Sequence, residues 1–379
     1  MLAAGFVSAA SLGKLVPHLD WLALHYGVPL GMAGFAVSCV MLPGALAGWS
    51  FGAASDRFGA KRVAITGLAV AAVASLLSGV ATNFAFLLVV RIVEGVGYTL
   101  LVVAATVIAA GLLPGRSALA LSVWSSFAPI GFALGQWAAA FAAGAFPLKA
   151  IGIVHAAALC AAALALWVAV APHAASPAKP VQTWHVLRHA PARRTALAFG
   201  ATCAVLLAAV ALAPVVLASR SGLPVAEVAA LTALAALVSI VGRIAPGWAL
   251  GRGAAPLALF AWASVVAALA IVATLALPLA LWFALVVFAV FQIAAGALPG
   301  VLSAMIPHVS PAPGELGSTS GLCTQMINVG NLLGPPLALA VYAVAGADAA
   351  AGLLVALLVG SVAAVARLGV FRRGLGEAA

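Results

Sequence analysis

Between residues 84 and 110 the chain carries one arginine and one glutamate, and almost every other residue is apolar. Stretches of this kind recur along the whole sequence, with gaps of only a few residues between many of them. A water-soluble core cannot absorb so many apolar side chains. They make up 66% of the chain, and only 6% is Asp, Glu, Lys or Arg, where a soluble domain carries about a quarter charged residues. The solvent that suits the surplus is lipid. A helix needs about 20 apolar residues to cross a bilayer, and non-helical backbone in hydrocarbon would leave amides unpaired. Long unbroken runs, rather than short alternating segments, argue against a barrel. The sequence predicts an all-α integral membrane protein with twelve transmembrane helices. They cover residues 1–24, 30–52, 63–81, 84–110, 117–141, 148–171, 195–218, 225–250, 255–275, 278–304, 317–343 and 348–370.

The basic residues orient these spans. With the N-terminus cytoplasmic, that side receives Arg57, Lys61, Arg62, Arg116, Lys179, Arg188, Arg193, Arg194, Arg252, Arg367, Arg372 and Arg373, and the other side only Lys149 and Arg220. This is a positive-inside distribution with both termini cytoplasmic, and it predicts a multi-pass protein of the bacterial inner membrane. The net charge of +10 thus reflects topology and does not point to nucleic acid. The first span starts at Met1 without a basic n-region, so it does not read as a secretory signal. Either the natural start lies upstream or the chain begins at the membrane face. Cys39, Cys160, Cys203 and Cys323 lie in apolar spans without metal-ligand spacing and read as small buried hydrophobes. No metal or cofactor is expected.

Residues 172–194, "PHAASPAKPVQTWHVLRHAPARR", form the longest polar stretch. They divide the chain into a first bundle (1–171) and a second bundle with a short tail (195–379). A weak repeat crosses the divide: "GWSFG" at 48–52 against "GWALG" at 247–251, and "APIGFALG" at 128–135 against "GPPLALA" at 334–340. Two pseudo-symmetric six-helix bundles are a recurrent transporter architecture.

Residues 52–62, "GAASDRFGAKR", place four charges and two glycines in one short turn. The pattern resembles the signature loop of the major facilitator superfamily, with Gly52, Asp56, Arg57, Gly59, Lys61 and Arg62 at the matching positions. The resemblance extends to the span count and the mid-chain loop. It implies a secondary transporter working by alternating access as a functional monomer, with a small-molecule substrate. It also implies that Asp56 meets the start of helix 11 and latches the halves in an outward-open state. A carboxylate at a helix N-terminus is favoured by about 0.3–1 kcal/mol. Gly59 permits the turn and Gly52 close helix approach. In the second half, Gly251 stands where a matching Asp would be, so no symmetric latch is expected.

Four charges lie inside spans, where each costs at least ~2.5–3.5 kcal/mol and invites a functional reading. Arg91 and Glu94 share one face of a helix. "RIVEGVG" resembles the superfamily's fourth-helix motif, with Gly95 and Gly97 matching, and this implies a link to proton movement. Glu94 would titrate and Arg91 tune it; the alternative is a structural ion pair. Lys14, about 20 Å along span 1, either snorkels outward or serves substrate or coupling. Arg243 lies about 13 Å deeper than Arg252. With Gly247 four residues on, it resembles the carboxylate-binding Arg of monocarboxylate transporters and oxalate/formate antiporters, and Arg suits a carboxylate bidentately. If Arg91 neutralises Glu94, Lys14 and Arg243 remain, and buried cations need a partner. The expected substrate is therefore a small organic anion.

Gln325, Asn328 and Asn331 in span 11 either bind substrate or join helices, and Gln292 in span 10 is a further substrate candidate. His155 in span 6 reads as structural. "RIVEGVGY" with "WSSFAPIGFALG" is similar to the cyanate-permease-like branch, although Ala128 replaces a glycine of the antiporter motif. The competing reading is an efflux pump for drugs or another exported metabolite, and a non-transporting sensor on the same fold is a third. The chain has no G-x-x-x-x-G-K-[ST] loop, which disfavours an ATP-driven pump, and no clustered nucleophile and base that would make it an enzyme.

Overall fold

A computed structural model describes residues 1–113, 115–142, 148–170 and 183–372. Among these, eleven helices are long and apolar enough to cross a membrane. They are α1 (Leu2–Tyr26), α2 (Gly31–Phe58), α3 (Ala60–Ser78), α4 (Phe84–Leu112), α5 (Ser117–Phe141), α6 (Leu148–Ala169), α7 (Ala190–Ser221), α8 (Glu227–Leu250), α9 (Pro256–Ala276), α10 (Leu281–Val309) and a final run, Leu316–Ala366. Gly346 breaks that run, with φ 80° and ψ −175°. The run therefore divides into α11 (316–345) and α12 (347–366), each long enough to span. The twelve expected segments thus correspond to eleven apolar helices, one of them broken. Residues 172–182 of the linker, with Lys179, and the tail from Arg373 onward lie outside the described residues.

The side-chain distribution inverts that of a soluble protein. Leu24, Phe141, Trp137, Trp262, Trp282 and Val344 are exposed, while Lys14, Arg91 and Glu94 are buried. Hydroxyls in the helices bond back to their own backbone, as Thr99 does to the Gly95 carbonyl and Thr106 to that of Val102. This satisfies them where water is absent.

Two compact units form, and neither is a continuous piece of chain. The first comprises Met1–Gly111, Phe127–Val186 and Ala312–Gln325; the second comprises Leu112–Ser126, Leu187–Pro311 and Met326–Ala379. The division thus falls inside α5 and α11. In the first unit α1 packs on the later part of α5 and on α6, and α3 packs on α6. In the second, α10 packs on α7, α8 and α9, and the opening turns of α5 pack on α8 and α10. Apolar clusters close each unit: Leu15, Leu22, Ala36, Phe84 and Leu87 in the first, and Leu217, Val228, Ala284 and Leu285 in the second.

Close backbone approach sets the tightest contacts. A β-carbon on Gly97 would lie 2.5 Å from the Gly67 carbonyl oxygen and 2.6 Å from the Ala71 nitrogen. The spacing of α3 and α4 therefore depends on that missing side chain. Gly97→Val should lower stability by about 1–3 kcal/mol through overpacking, read as a fall in melting temperature in detergent. Gly352→Ala, where nothing stands within 4 Å of the added carbon, should produce no such fall.

Candidate functional site

Helix α4 supplies Arg91 and Glu94, three residues apart and both fully buried. The Arg91 guanidinium donates to three acceptors. Nη1 pairs with Glu94 Oε2, Nε donates to the Ala36 carbonyl at 2.6 Å, and Nη2 to the Ser11 carbonyl at 2.6 Å. Both carbonyls sit where a helix loses regular pairing. α1 stops being α-helical at Gly13, ahead of a 3-10 turn at Val16–His18, and α2 tightens into a 3-10 turn at Cys39–Met41. Carbonyls near such breaks are available to outside donors, and Arg91 takes them.

Glu94 has a second oxygen. Oε1 accepts from Lys14 Nζ at 2.6 Å. Lys14 does not snorkel to a surface and is not a lone cation, because the carboxylate that was expected to be spent on Arg91 holds both. Lys14 Nζ also donates to Ser75 Oγ at 2.9 Å and lies 3.1 Å from His155 Nδ1. His155 Nε2 lies 2.8 Å from the Val7 carbonyl. An imidazole facing a carbonyl with Nε2 and an ammonium with Nδ1 has one consistent assignment: neutral, with its proton on Nε2. The network joins α1, α2, α3, α4 and α6. With two full cations and one carboxylate it carries an excess of one positive charge, away from water.

His155 and Ser75 were not anticipated as members. His155 has a visible signal, as the only imidazole in span 6. Ser75 has none, being one of several small polar residues in span 3.

The charged turn forms a second centre. Gly59 takes φ 88°, a conformation that favours glycine, so that α2 can end at Phe58 and α3 begin at Ala60. Asp56 Oδ1 accepts the Gly317 N–H at 2.7 Å; Oδ2 accepts the Ser318 N–H at 2.7 Å and the Ser318 hydroxyl at 2.6 Å. These amides belong to the first turn of α11, which otherwise has no acceptor for them. A β-carbon on Gly52 would overlap the Gly317 carbonyl, so the two backbones touch. Arg57 and Arg62 are exposed and Lys61 is half-buried, with the Arg57 guanidinium 5.2 Å from the Phe58 ring centre.

The remaining candidates are placed separately. Gln325 is committed to α2: its Oε1 accepts the Trp49 N–H at 3.4 Å, and its Nε2 donates to the Leu46 carbonyl at 3.3 Å. It acts as helix glue, since both ends of the amide are occupied by backbone. In the second unit Arg243 is half-buried on α8 and donates from Nη1 to the Ser125 carbonyl at 3.1 Å. Gln292 on α10 is buried, and its Nε2 has no hydrogen-bond partner among the described residues. Asn328 on α11 is also buried.

Asp56→Asn removes the charge and one acceptor oxygen from the start of α11. Hydrogen bonds to a charged group contribute about 1.5–3 kcal/mol. Amide exchange at Gly317 and Ser318 should therefore accelerate by roughly tenfold or more, read by hydrogen–deuterium exchange. Unchanged protection would mean that other groups hold the turn.

The sequence matches the family model described as Major Facilitator Superfamily over residues 1–311. No curated protein matches it. Among solved structures, the fold is similar to that of the human organic anion transporter MFSD10 (TETRAN), at 17% identity and a TM-score of 0.78, covering 96% of this chain and 97% of that one. It is also similar to a variant of the E. coli fucose:proton symporter FucP, at 17% identity and a TM-score of 0.73, with the same coverage. FucP in the outward conformation gives the same values. With the match spanning most of the chain and its spans and charged turn in place, the protein belongs to the major facilitator superfamily and is a secondary transporter.

Proposed function

We propose that this transporter carries a small organic anion across the bacterial inner membrane by alternating access, coupled to protons and acting as a monomer. The basic ends of the helices would face the cytoplasm, as the positive-inside rule expects. The observation that carries the reading is the charge balance around Glu94: two cations on one carboxylate, buried, with Arg243 as a further intramembrane cation on α8. Positive charge held away from water is stabilised by an anion. A guanidinium offers a carboxylate two parallel hydrogen bonds. Solved folds like this one include an organic anion transporter in one case and a sugar:proton symporter in another. The charges on this chain's own residues therefore carry the substrate class.

In this reading Arg243 binds the anionic group, with Gln292 and Asn328 as further contacts. Glu94, between Arg91 and Lys14, is the coupling group. A carboxylate whose two oxygens hold two cations on different helices changes its hold on both when it takes up a proton, so protonation and helix packing become linked. The Asp56 contact would act as the latch released once in each cycle.

Three measurements test this. A melting-shift panel of small carboxylates, lipophilic cations and neutral amphiphiles on the detergent-purified protein should single out a carboxylate. A ligand at 100 times its Kd should add about 2.7 kcal/mol. Stabilisation by cations or neutral amphiphiles alone would overturn the anion reading in favour of efflux. Arg243→Ala should abolish the carboxylate's shift. In proteoliposomes, Glu94→Gln should remove uptake driven by a pH gradient while leaving substrate exchange. Unchanged proton dependence would exclude Glu94 from coupling.

A further inference from the structure

The hydrogen bonds around Lys14 can be assigned atom by atom, because each partner has a fixed set of donors and acceptors. An ammonium has three N–H groups. On Lys14 they meet Glu94 Oε1 at 2.6 Å, Ser75 Oγ at 2.9 Å and His155 Nδ1 at 3.1 Å. His155, with its proton on Nε2 against the Val7 carbonyl, offers Nδ1 as an acceptor. Ser75 accepts from Lys14, so its own hydrogen goes to the Gly152 carbonyl at 3.2 Å. No donor is spare in this state, yet the cluster holds one positive charge more than it balances.

The ionisable groups around Lys14 are few. α4 brings Arg91 and Glu94, and α6 brings His155. α2 has Cys39 between residues 30 and 55, α1 itself has His18 four residues on, and α3 beyond Arg62 and α5 have none. The apolar groove of about 490 Å³ between α5 and α6, with Lys14 and His155 on its floor, adds no other. With no second carboxylate at hand, the surplus charge is removed by a proton leaving.

Losing one proton from Nζ does this without breaking the cluster. An amine has two N–H groups and one lone pair. The N–H groups to Glu94 and His155 stay. The N–H bond toward Ser75 breaks, its electron pair remains on nitrogen, and the proton passes to water. The Ser75 hydroxyl then turns from Gly152 and donates to that lone pair across the same 2.9 Å. The Gly152 carbonyl lies inside a helix, and it keeps the amide one turn on. Each of these groups thus has a partner in both states, and only a hydroxyl rotates. Arg91 cannot make such a change, since a guanidinium keeps its proton. Glu94 cannot gain a proton in this packing without a clash of donors. Both its oxygens already face N–H groups, and His155 Nδ1 is 3.6 Å from Oε1.

We propose that Lys14 is a second proton site of this network, one that loads and unloads with the helices packed as they are here. Protonating Glu94 loosens both cations, whereas deprotonating Lys14 leaves the hydrogen bonds in place and neutralises the cluster. The proposal extends the proton-coupled reading above and is measurable without a substrate.

The test is an NMR titration of the full-length protein in nanodiscs, isotope-labelled at lysine Nζ. The other lysines are Lys61, Lys149 and Lys179, so Lys61→Arg, Lys149→Arg and Lys179→Arg together leave Lys14 as the single signal. As the solution is taken from mildly acidic to mildly alkaline, that signal should pass completely from the ammonium to the amine position. In the unaltered protein the exposed Lys149 should stay at the ammonium position. Near-ultraviolet circular dichroism should not change over the same range. Glu94→Gln removes the charge that holds the ammonium, so Lys14 should then be an amine throughout. A Lys14 signal fixed at the ammonium position would overturn the proposal. So would a conversion that comes only with loss of the near-ultraviolet signal, or one that Glu94→Gln leaves where it was. A melting panel in which no carboxylate binds would overturn the substrate reading and leave this result standing.

Discussion

A carboxylate has two oxygens, and in this protein each is held by a different cation. Glu94 gives one to Arg91 on its own helix and the other to Lys14 on α1. Without that division neither cation would be tolerable in the interior, because removing one member of a buried pair leaves a charge that costs several kcal/mol. Arg91 in turn takes carbonyls of α1 and α2 close to places where those helices depart from regular pairing. Irregular backbone is accepted at membrane depth only where protein covers its polar groups. The breaks in α1 and α2 and the guanidinium of α4 therefore stabilise one another, in backbone that lipid alone would not permit.

The second organising element is the absence of side chains. Glycines let α3 meet α4, and α2 meet the start of α11, at backbone contact. There the N–H groups of a helix terminus can reach a carboxylate on the neighbouring helix. Asp56 depends on this geometry. Its three acceptor contacts need the first turn of α11 close against α2, and Gly52 is what permits that distance. Charge and packing are thus one device. The contact is made of hydrogen bonds from one helix terminus and of backbone surface bared by glycine.

The same architecture leaves a groove where alanines and a glycine face each other on α5 and α6. On its floor the network around Glu94 stays closed, because each Lys14 N–H already has an acceptor.

Much of this could be read from the residues in order. Apolar runs of about 20 residues dictate helices that span lipid, since a helix pairs its amides within one segment and a closed barrel would need short alternating strands instead. The positions of Gly52, Asp56 and Gly59, and the three-residue spacing of Arg91 and Glu94, are local and therefore legible. The partners across helices were not. Lys14 and Glu94 are 80 positions apart, and helical periodicity fixes which face a side chain takes but not which helix that face meets. Counting charges one against one assigned Arg91 to Glu94 and left Lys14 alone. Likewise, His155 read as structural without a partner in view, and Gln325 stayed open between binding substrate and joining helices because its backbone partners on α2 have no signature. The sequence determined the solvent, the elements and the charge inventory, because those depend on composition and short-range spacing. The tertiary structure decided which charges neutralise each other, which backbone carbonyls take the buried donors and where the groove opens, because these depend on distances between helices that only packing sets.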